Sequence, residues 1–314
     1  METNAPHILV LVGPTACHKT ETAVTLCRRF SGEVVSADSV QVYTGMDIGS
    51  AKPTIEEQKG VPHHMIDCVP IDAPSFSVSQ FRQMAVEAID GILHRGRLPV
   101  VVGGSGLYVN ALISPLGFAA PSDMAVRTRL ETEYDQSPET VIQRLFACDP
   151  ITANRLHPND KKRIVRALEV FECSGKPLSA FGADFVGAQQ QNADYHAALI
   201  GLTMDREALY ARIDRRVDMM IQRGLLKEAE QIYRAGYNRM LPAMQSIGYR
   251  QLFDYFDGDC TLAEATERIK RETRRFAKRQ LTWFRRDARI RWVDVTAYTD
   301  ETADQIEQLA KELL

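Results

Sequence analysis

The chain has 314 residues, of which 45% are hydrophobic and 25% are charged, so it can bury a sizeable core and is not a disordered chain. Its net charge of −3 excludes a surface that is basic all round, although it permits one basic face. No run approaches the roughly 20 apolar residues of a membrane-spanning helix, and the run at 8–12 is too short for a signal peptide, so a cytoplasmic protein without membrane contact is predicted.

Buried strands and amphipathic helices alternate along much of the chain. Strands are predicted at 8–12, 33–37, 98–102, 197–202 and 290–295, and helices at 20–30 and 77–94. The strands are mostly apolar, whereas the helices carry apolar residues at the three-to-four spacing of one buried face. This alternation predicts an α/β fold with a parallel sheet covered on both sides, of the kind found in P-loop NTPases.

The stretch 115–192 differs because it lacks strand-like runs and ends in the polar segment 189–192. Four prolines interrupt it: Pro121, Pro138, Pro150 and Pro158. It is predicted to be a small helical insertion between two parts of the core, 1–114 and 193–314. From Arg206 onward the chain is predicted to be helical up to the last strand, with turns near 236–238 and 257–259.

The segment 13–20, Gly-Pro-Thr-Ala-Cys-His-Lys-Thr, lies between the first strand and the first helix, which is the context of a phosphate-binding loop. In such a loop backbone N–H groups surround an anion, a lysine adds charge and a threonine hydroxyl reaches Mg²⁺. His18 stands where the pattern has its second glycine. Its ring must either crowd the anion or point away, where it could act as a second cationic donor. An ordinary strand-to-helix turn is the alternative.

Two further segments follow predicted strands and are expected at the same edge of the sheet. Asp38 could act as a general base, a Mg²⁺ ligand or a cap for the residues after it. The glycine turn, residues 103–106 with the sequence Gly-Gly-Ser-Gly, permits close approach of the backbone to a ligand and adds the hydroxyl of Ser105.

The basic segment, residues 268–291, contains eleven lysines and arginines but only two acids, Glu272 and Asp287. A run of charge is usually a solvated helix face. Here the excess is larger than pairing within the segment can neutralise, so a track for a phosphate backbone is favoured.

Neither the cysteines nor the histidines form a convincing metal pattern. The six cysteines include no CxxC pair, and Cys17 and His18 have no partners at usable spacing. His63 and His64 are interpreted as a turn before a strand at 65–69 rather than as metal ligands.

Together these segments resemble the tRNA dimethylallyltransferases, also called tRNA isopentenyltransferases. The matching pieces run in one order along nearly the whole chain: 13–20, 36–43, 45–49, 51–53, 63–67, 103–108, 158–160, 163, 166–170, 247–249 and 277–284. The usual loop of that family reads Gly-Pro-Thr-Ala-Ser-Gly-Lys-Thr, so this chain departs from it at Cys17 and His18. The absence of a zinc-finger pattern before Leu314 fits the bacterial type.

The resemblance implies transfer of the dimethylallyl group from dimethylallyl diphosphate to N6 of adenine 37, in tRNAs that read codons beginning with U. Asp38 matches the family's catalytic aspartate and would accept the N6 proton from an adenine flipped out of its stack. Lys19 would neutralise the departing diphosphate, and Thr20 with Mg²⁺ would bind its oxygens. The implied diphosphate-binding residues are Gly13, Pro14, Thr15, Ala16, Cys17, His18, Lys19, Thr20 and Arg216. From its local pattern alone, Arg216 could equally form an ion pair on a helix surface.

The resemblance also implies contacts with the anticodon stem-loop of tRNA. The implied residues are Asp38, Ser39, Val40, Gln41, Ser105, Arg127, Lys162, Arg163, Ile164, Val165 and Arg166. The protein is expected to act as a monomer.

Three functions remain open from the sequence. The first is an active transferase with an adapted loop. The second is a tRNA-binding pseudoenzyme in which His18 has impaired donor binding. The third is a P-loop kinase for a small molecule or nucleotide, which would carry an arginine-rich lid and lack the basic segment.

Overall fold

The computed structural model describes residues 5–114, 123–181 and 194–314. Its strands are β1 (His7–Val12), β2 (Gly32–Ser36), β3 (His63–His64), β4 (Leu98–Gly103), β5 (His196–Thr203) and β6 (Arg291–Asp294). Its helices are α1 (Lys19–Arg29), α2 (Ile55–Gln58), α3 (Val78–His94), α4 (Gly106–Ile113), α5 (Met124–Gln136), α6 (Pro138–Cys148), α7 (Pro150–Arg155), α8 (Lys161–Ser174), α9 (Arg206–Gln222), α10 (Leu225–Arg234), α11 (Tyr249–Phe256), α12 (Leu262–Phe284) and α13 (Asp300–Leu313). Short 3₁₀ turns lie at Leu178–Phe181 and Ala243–Gln245.

These strands form one parallel sheet in the order β3-β2-β4-β1-β5-β6. In the centre of the sheet, Leu9 of β1 lies opposite Val100 of β4 and Ala198 of β5. Because parallel strands end on the same side, the loops after β1, β2 and β4 meet at one edge, here called the carboxyl edge. The predicted α/β fold is confirmed.

The central strand is covered on both faces, as its apolar sequence requires. Leu9 and Leu11 pack with residues of α1, α9 and α13, whereas Ile8, Val10 and Val12 pack with residues of α3 and α4. Full burial of each such side chain contributes about 1.5–3 kcal/mol. The start of the loop after β1 is therefore anchored in the core.

A third apolar cluster joins the loop after β2 to helices α9 to α12. Tyr43 and Met46 from the loop pack with Tyr249, Phe253 and Ala265 from α11 and α12. The predicted helical region has one more break than the sequence suggested, because Gly224, with φ of 104°, separates α9 from α10.

The chain divides into two compact units. One contains the described residues of 1–113 and 193–314. The other contains those of 114–192 and is built from α5 to α8 around Leu130, Leu145, Ile164 and Leu168. Pro121 and the segment 189–192, which helped to bound the predicted insertion, lie outside the described residues. Among the helices that the structure describes, none has both the length and the apolar character needed to cross a membrane.

One strand prediction is wrong. The outer strand is His63–His64 itself, paired with Val34 and Val35, rather than a strand at 65–69. Met65 and Asp67 have positive φ values of 63° and 53°, which are incompatible with an extended strand. Two neighbouring apolar residues, Met65 and Ile66, gave a strand-like signal that the backbone does not follow.

Candidate active site

The phosphate loop, residues 13–20, runs from the end of β1 to the first turn of α1 at the carboxyl edge. A Cβ on Gly13, whose φ is 151°, would lie 2.7 Å from the carbonyl oxygen of Leu202, so this position requires glycine. Helix α1 begins at Lys19, and no side chain caps its N-terminus. Uncapped N–H groups of a first turn attract an anion, because the helix dipole adds partial positive charge there.

The Lys19 ammonium folds back over the loop and donates a 2.6 Å hydrogen bond to the carbonyl oxygen of Pro14. Burial lowers its pKa to about 8; the nearby positive charge of Arg216 adds to this lowering, and the negative charge of Asp38 opposes it. This lysine therefore brings a poorly solvated cation to the loop, where an anion gains most from it.

The ring of His18 is held away from the turn. It stacks on Tyr298, with 4.4 Å between ring centroids and 9° between planes, and its Nδ1 lies 3.2 Å from Oε2 of Glu21. Burial lowers the pKa of His18, and the hydrogen bond with Glu21 only partly opposes this. The ring's position and lowered pKa favour the neutral form, so the expected second cationic donor is not supported.

Two other loop residues differ from expectation. Cys17 is buried in the core, which raises the pKa of its thiol to about 11, so only its backbone can face an anion. The backbone N–H of Thr15 is already used, because it donates a 2.9 Å hydrogen bond to Oε1 of Gln280. The Thr15 N–H is therefore not free for an anion in this structure, and the assignment of residues 13–20 to a diphosphate stays a prediction.

Gln280 of α12 joins the phosphate loop to the glycine turn. Its Oε1 accepts from Thr15, and its Nε2 donates a 3.0 Å hydrogen bond to the carbonyl oxygen of Gly104. The side chain is buried. The only signal for this role in the sequence is weak: Gln280 is an uncharged residue in the middle of the basic segment.

The glycines of the glycine turn serve contacts within the protein. A Cβ on Gly103 would lie 2.1 Å from the carbonyl oxygen of Ala37, and one on Gly106 would lie 2.1 Å from Cδ1 of Trp283. At Gly104 the obstacle would be Gln280, at 2.0 Å. Protein atoms fill the space that a side chain would need at these three positions, so packing alone requires glycine there; close approach to a ligand stays a prediction.

Asp38 follows β2 and faces the cationic groups of the loop. Its Oδ1 accepts hydrogen bonds from the backbone N–H groups of Val40 at 2.8 Å and Gln41 at 3.3 Å. Its charge acts on Lys19 and Arg216, opposing the lowering of the pKa that burial causes in each. One oxygen thus caps the turn as the sequence allowed, and a carboxylate has a second oxygen for acid–base chemistry.

The neighbouring predicted tRNA contacts form a hydrogen-bonded rim. The hydroxyl of Ser105 accepts from the Ser39 N–H at 3.0 Å and donates to the Ser39 hydroxyl at 3.2 Å. Gln41 accepts from Ser36 at 2.9 Å and donates to the carbonyl oxygen of Ala51 at 3.1 Å. Val40 is half-buried against the third apolar cluster, so Ser39 is the exposed member of this set.

Helix α9 supplies two arginines to the site. Arg212 donates a 3.0 Å hydrogen bond from Nε to the carbonyl oxygen of Ala16. Burial lowers the pKa of Arg216, and the charges of Asp38 and then Glu57 oppose this. Within the described chain Arg216 forms no ion pair, which removes the surface ion pair as an explanation. Arg212 was missed, although its position four residues before Arg216 places both on one helix face.

The loop between β2 and α2 is held by one carboxylate. Glu228 accepts from the backbone N–H groups of Asp47, Ile48 and Gly49 at 2.8–3.0 Å, and from the Tyr249 hydroxyl at 2.6 Å. The matching segments 45–49 and 247–249 therefore shape the wall beside Gln41.

In the helical unit, the predicted tRNA-binding residues separate into two groups. Arg127 and Arg166 both bind the buried carboxylate of Glu169, at 2.7 and 2.9 Å, whereas Lys162 and Arg163 are exposed. Ile164 and Val165 are only 2% and 1% exposed, because they face the core of the unit. These two are corrected to core residues.

The basic segment is partly neutralised, by its own two acids and by acids of α9 and α11. Its ion pairs are Arg268 with Asp254, Lys270 with Asp218, Arg271 and Arg275 with Glu272, Arg274 with Asp214, and Arg289 with Asp287. Pairing within the segment does not neutralise it, as expected, because Glu272 and Asp287 pair with three of its cations; acids outside the segment pair with three more. The other five, all exposed, are Lys278, Arg279, Arg285, Arg286 and Arg291.

The paired histidines both have hydrogen-bond partners within the protein. Nε2 of His64 lies 2.7 Å from the buried carboxylate of Glu33, and Nδ1 of His63 lies 2.8 Å from the carbonyl oxygen of Val61. Across residues 5–114, 123–181 and 194–314, no three or more histidine, cysteine or acidic side chains are grouped to hold a metal.

The protein has an α/β fold, with a lysine, an arginine and an aspartate around an uncapped helix start at the carboxyl edge. A family model described as IPP transferase matches residues 41–287. The chain is 45% identical to the tRNA dimethylallyltransferase of Geobacillus kaustophilus over 98% of this chain and 96% of that protein. It is 47% identical to tRNA dimethylallyltransferase 2 of Geotalea uraniireducens, over 91% of this chain and 92% of the relative.

Solved structures agree. The tRNA isopentenylpyrophosphate transferase of Bacillus halodurans has a TM-score of 0.72 and 43% identity, covering 98% of this chain and 96% of its own. A eukaryotic dimethylallyltransferase acting on tRNA has a TM-score of 0.81 and 28% identity, covering 96% of this chain and 77% of its own. The protein belongs to the IPP transferase family, as its resemblance implied.

Proposed function

We propose that this protein transfers the dimethylallyl group from dimethylallyl diphosphate to N6 of adenine 37, in tRNAs that read codons beginning with U. The observation that carries the proposal is the electrostatic interaction of Asp38 with Lys19 of the phosphate loop and Arg216 of α9. A base for the nucleophile and a cradle for the leaving group thus share the carboxyl edge. Relatives named tRNA dimethylallyltransferase, 45–47% identical over most of the chain, support it.

In this reaction the amine nitrogen N6 forms a bond to the allylic carbon C1, and the C1–O bond to diphosphate breaks. The electron pair leaves with the diphosphate, whose developing charge is met by the α1 N-terminus, Lys19 and Arg216. The proton on N6 passes to the carboxylate of Asp38. The adenine must leave its stack to reach C1, so an extruded base is expected.

Magnesium fits the donor set around the loop. Mg²⁺ keeps several waters and binds substrate phosphates through few protein ligands, so the described residues need no three-ligand cluster to hold it. We propose the Thr20 hydroxyl, in the first turn of α1, as its protein ligand. When bound, the metal supplies positive charge to the diphosphate oxygens.

The position of His18 favours the active transferase over the pseudoenzyme. Impaired donor binding requires the ring to crowd the loop, whereas the ring stacks on Tyr298. The exposed cations at the end of α12 favour an RNA substrate over that of a P-loop kinase. A cytoplasmic location and action as a monomer stay predictions from the sequence.

The direct test combines purified protein, dimethylallyl diphosphate, Mg²⁺ and an anticodon stem-loop with adenines at positions 36, 37 and 38. We expect N6-alkylated adenosine in the nucleoside digest, detected by mass spectrometry, and none when guanine replaces adenine 37. Binding of the stem-loop without alkylation at saturating donor would establish the pseudoenzyme instead.

Asp38→Ala tests the assigned base. We expect kcat to fall by about 10²–10⁴-fold, while the Kd for tRNA changes less than about tenfold, since a base acts mainly on the barrier. Asp259→Ala removes an exposed carboxylate from a turn and serves as the matched control. An equal loss of binding and rate in Asp38→Ala would make Asp38 an RNA anchor.

A further inference from the structure

The backbone at position 18 has a conformation that favours glycine. His18 has φ of 51° and ψ of 13°, in the left-handed region, and it directly precedes the first residue of α1. A side chain makes this conformation less favourable, because Cβ approaches the neighbouring carbonyl oxygen. Something other than the residue itself must therefore hold the loop in the form that the uncapped helix start requires.

Contacts on the outer side of the loop supply that support. The His18 ring lies nearly parallel to the Tyr298 ring, at a centroid distance of 4.4 Å. The Tyr298 hydroxyl lies 3.1 Å from Oγ1 of Thr22, in the first turn of α1. On the same turn, Oε2 of Glu21 lies 3.2 Å from Nδ1 of His18. Tyr298 thus contacts the phosphate loop through His18 and helix α1 through Thr22.

Tyr298 is itself fixed by its own segment, between β6 and α13. On one side, Thr296 Oγ1 accepts a 2.8 Å hydrogen bond from the N–H of Asp205. On the other, Thr302 Oγ1 donates a 3.0 Å hydrogen bond to the carbonyl oxygen of Ala297. The segment that carries Tyr298 is therefore held by contacts outside the loop, and its side chain also packs against the core cluster of α1, α9 and α13.

We propose that Tyr298 is a positioning residue of the donor site, which holds the His18 ring outside the phosphate loop and keeps the loop in its left-handed turn. A glycine at this position would adopt the left-handed conformation without support, whereas His18 needs the contact with Tyr298 to keep it. This inference rests on the proposed function, because it assigns the loop to the diphosphate of the donor.

A double-mutant cycle with inorganic diphosphate and Mg²⁺ as the probe tests this, by calorimetry on the full chain. We expect Tyr298→Leu to weaken diphosphate binding at least fivefold when His18 is present, and less than twofold when combined with His18→Gly. Tyr298→Phe keeps the stacked ring, so it should bind at least threefold more tightly than Tyr298→Leu. In the transfer reaction, KM for dimethylallyl diphosphate should rise by a larger factor than kcat falls.

A spectroscopic signature separates stacking from a general role in folding. The His18 Cε1 proton should be shifted upfield by the Tyr298 ring current, should stay so in Tyr298→Phe, and should lose the shift in Tyr298→Leu. If Tyr298→Leu does not fold, Tyr298→Met takes its place in the cycle.

Weakening of equal size with and without His18→Gly would overturn the proposal, because Tyr298 would then act through the fold. Unchanged binding in Tyr298→Leu would also overturn it. Coupling between the two positions without alkylation of the stem-loop would instead leave the positioning role standing and reject the proposed function. Failure of the unaltered protein to bind diphosphate would overturn both.

Discussion

Burial of positive charge is the main electrostatic feature of the phosphate loop. Lys19 and Arg216 both have lowered pKa values because they are poorly solvated. The charge of Arg216 lowers the pKa of Lys19 further, and other arginines lower that of Arg216. A polyanionic leaving group placed among them supplies the favourable charge interaction that these cations lose with water on burial. The site is therefore organised for an anion rather than for a neutral ligand.

The lowered pKa of Lys19 predicts a pH dependence for donor binding. Below about pH 8 the ammonium is already charged, so affinity should be flat. Above about pH 8 the anion must bind together with a proton, so affinity should fall, towards tenfold per pH unit for one proton.

Calorimetry with dimethylallyl diphosphate from about pH 6.5 to 9.5 measures this profile, with Lys19→Arg as the matched control. The guanidinium stays charged in this range, so the control should be flat whatever its absolute affinity. A decline of the same steepness in both proteins would assign the titration to another group.

The roles of some single residues could be predicted from the sequence, whereas the positions of other side chains could not. Asp38 and Lys19 could be assigned because their positions follow from strand ends and a motif. The direction of the His18 ring could not, because it depends on Tyr298, which is 280 positions away in the chain. Cys17 likewise enters the core only because the sheet and α1 enclose it.

Helix α12 ties the loops of the carboxyl edge together. Gln280 bonds one loop through its oxygen and another through its nitrogen, so the geometry of Thr15 and Gly104 is set jointly. Loss of the Gln280 side-chain amide would leave the Thr15 N–H and the Gly104 carbonyl oxygen without this hydrogen-bond partner. Because Gln280 is buried, little water is available to replace it.

Gln280→Leu should therefore lower the free energy of unfolding by about 2–4 kcal/mol and also raise the KM for the donor. Gln308→Leu, at an exposed position of α13, makes the same chemical change and should alter stability by less than about 0.5 kcal/mol. Urea denaturation and steady-state kinetics measure both effects. Destabilisation with an unaltered KM would show that donor binding does not depend on the Gln280 hydrogen bonds to the two loops.

Most of the core elements could be predicted to within one or two residues. β1, β2, β4 and α3 were found because burial on both faces or on one face leaves a clear apolar period. The strand β3 was misplaced because its two residues are histidines, stabilised by Glu33 and by main-chain pairing rather than by apolar burial. Short edge strands carry little pattern of their own.

On the scale of the molecule, charge is distributed unevenly despite a net charge of −3. Acids of α9 and α11 pair with Arg268, Lys270 and Arg274 in the first half of the basic segment, and five cations toward its end are exposed. The electrostatic surface available to RNA is thus narrower than the sequence suggested.

The double variant Arg285→Gln with Arg286→Gln should weaken tRNA binding and reduce the slope of log Kd against log salt by about one to two. Arg28→Gln with Arg234→Gln removes the same charge elsewhere, at exposed positions of α1 and α10, and should leave that slope nearly unchanged. Fluorescence anisotropy across a salt series measures both. Equal slopes in the two double variants would exclude a specific contact at the end of α12.

The sequence by itself determined the α/β core, the phosphate loop after β1, Asp38 after β2 and the family, because apolar periods and short motifs are local properties of a chain. Only the tertiary structure decided that the glycines of residues 103–106 make room for Ala37, Gln280 and Trp283, and that Ile164 and Val165 are core residues. It also decided where the His18 ring lies. Each of these outcomes depends on which distant side chain occupies the neighbouring space, and packing of that kind leaves no periodic trace in a sequence.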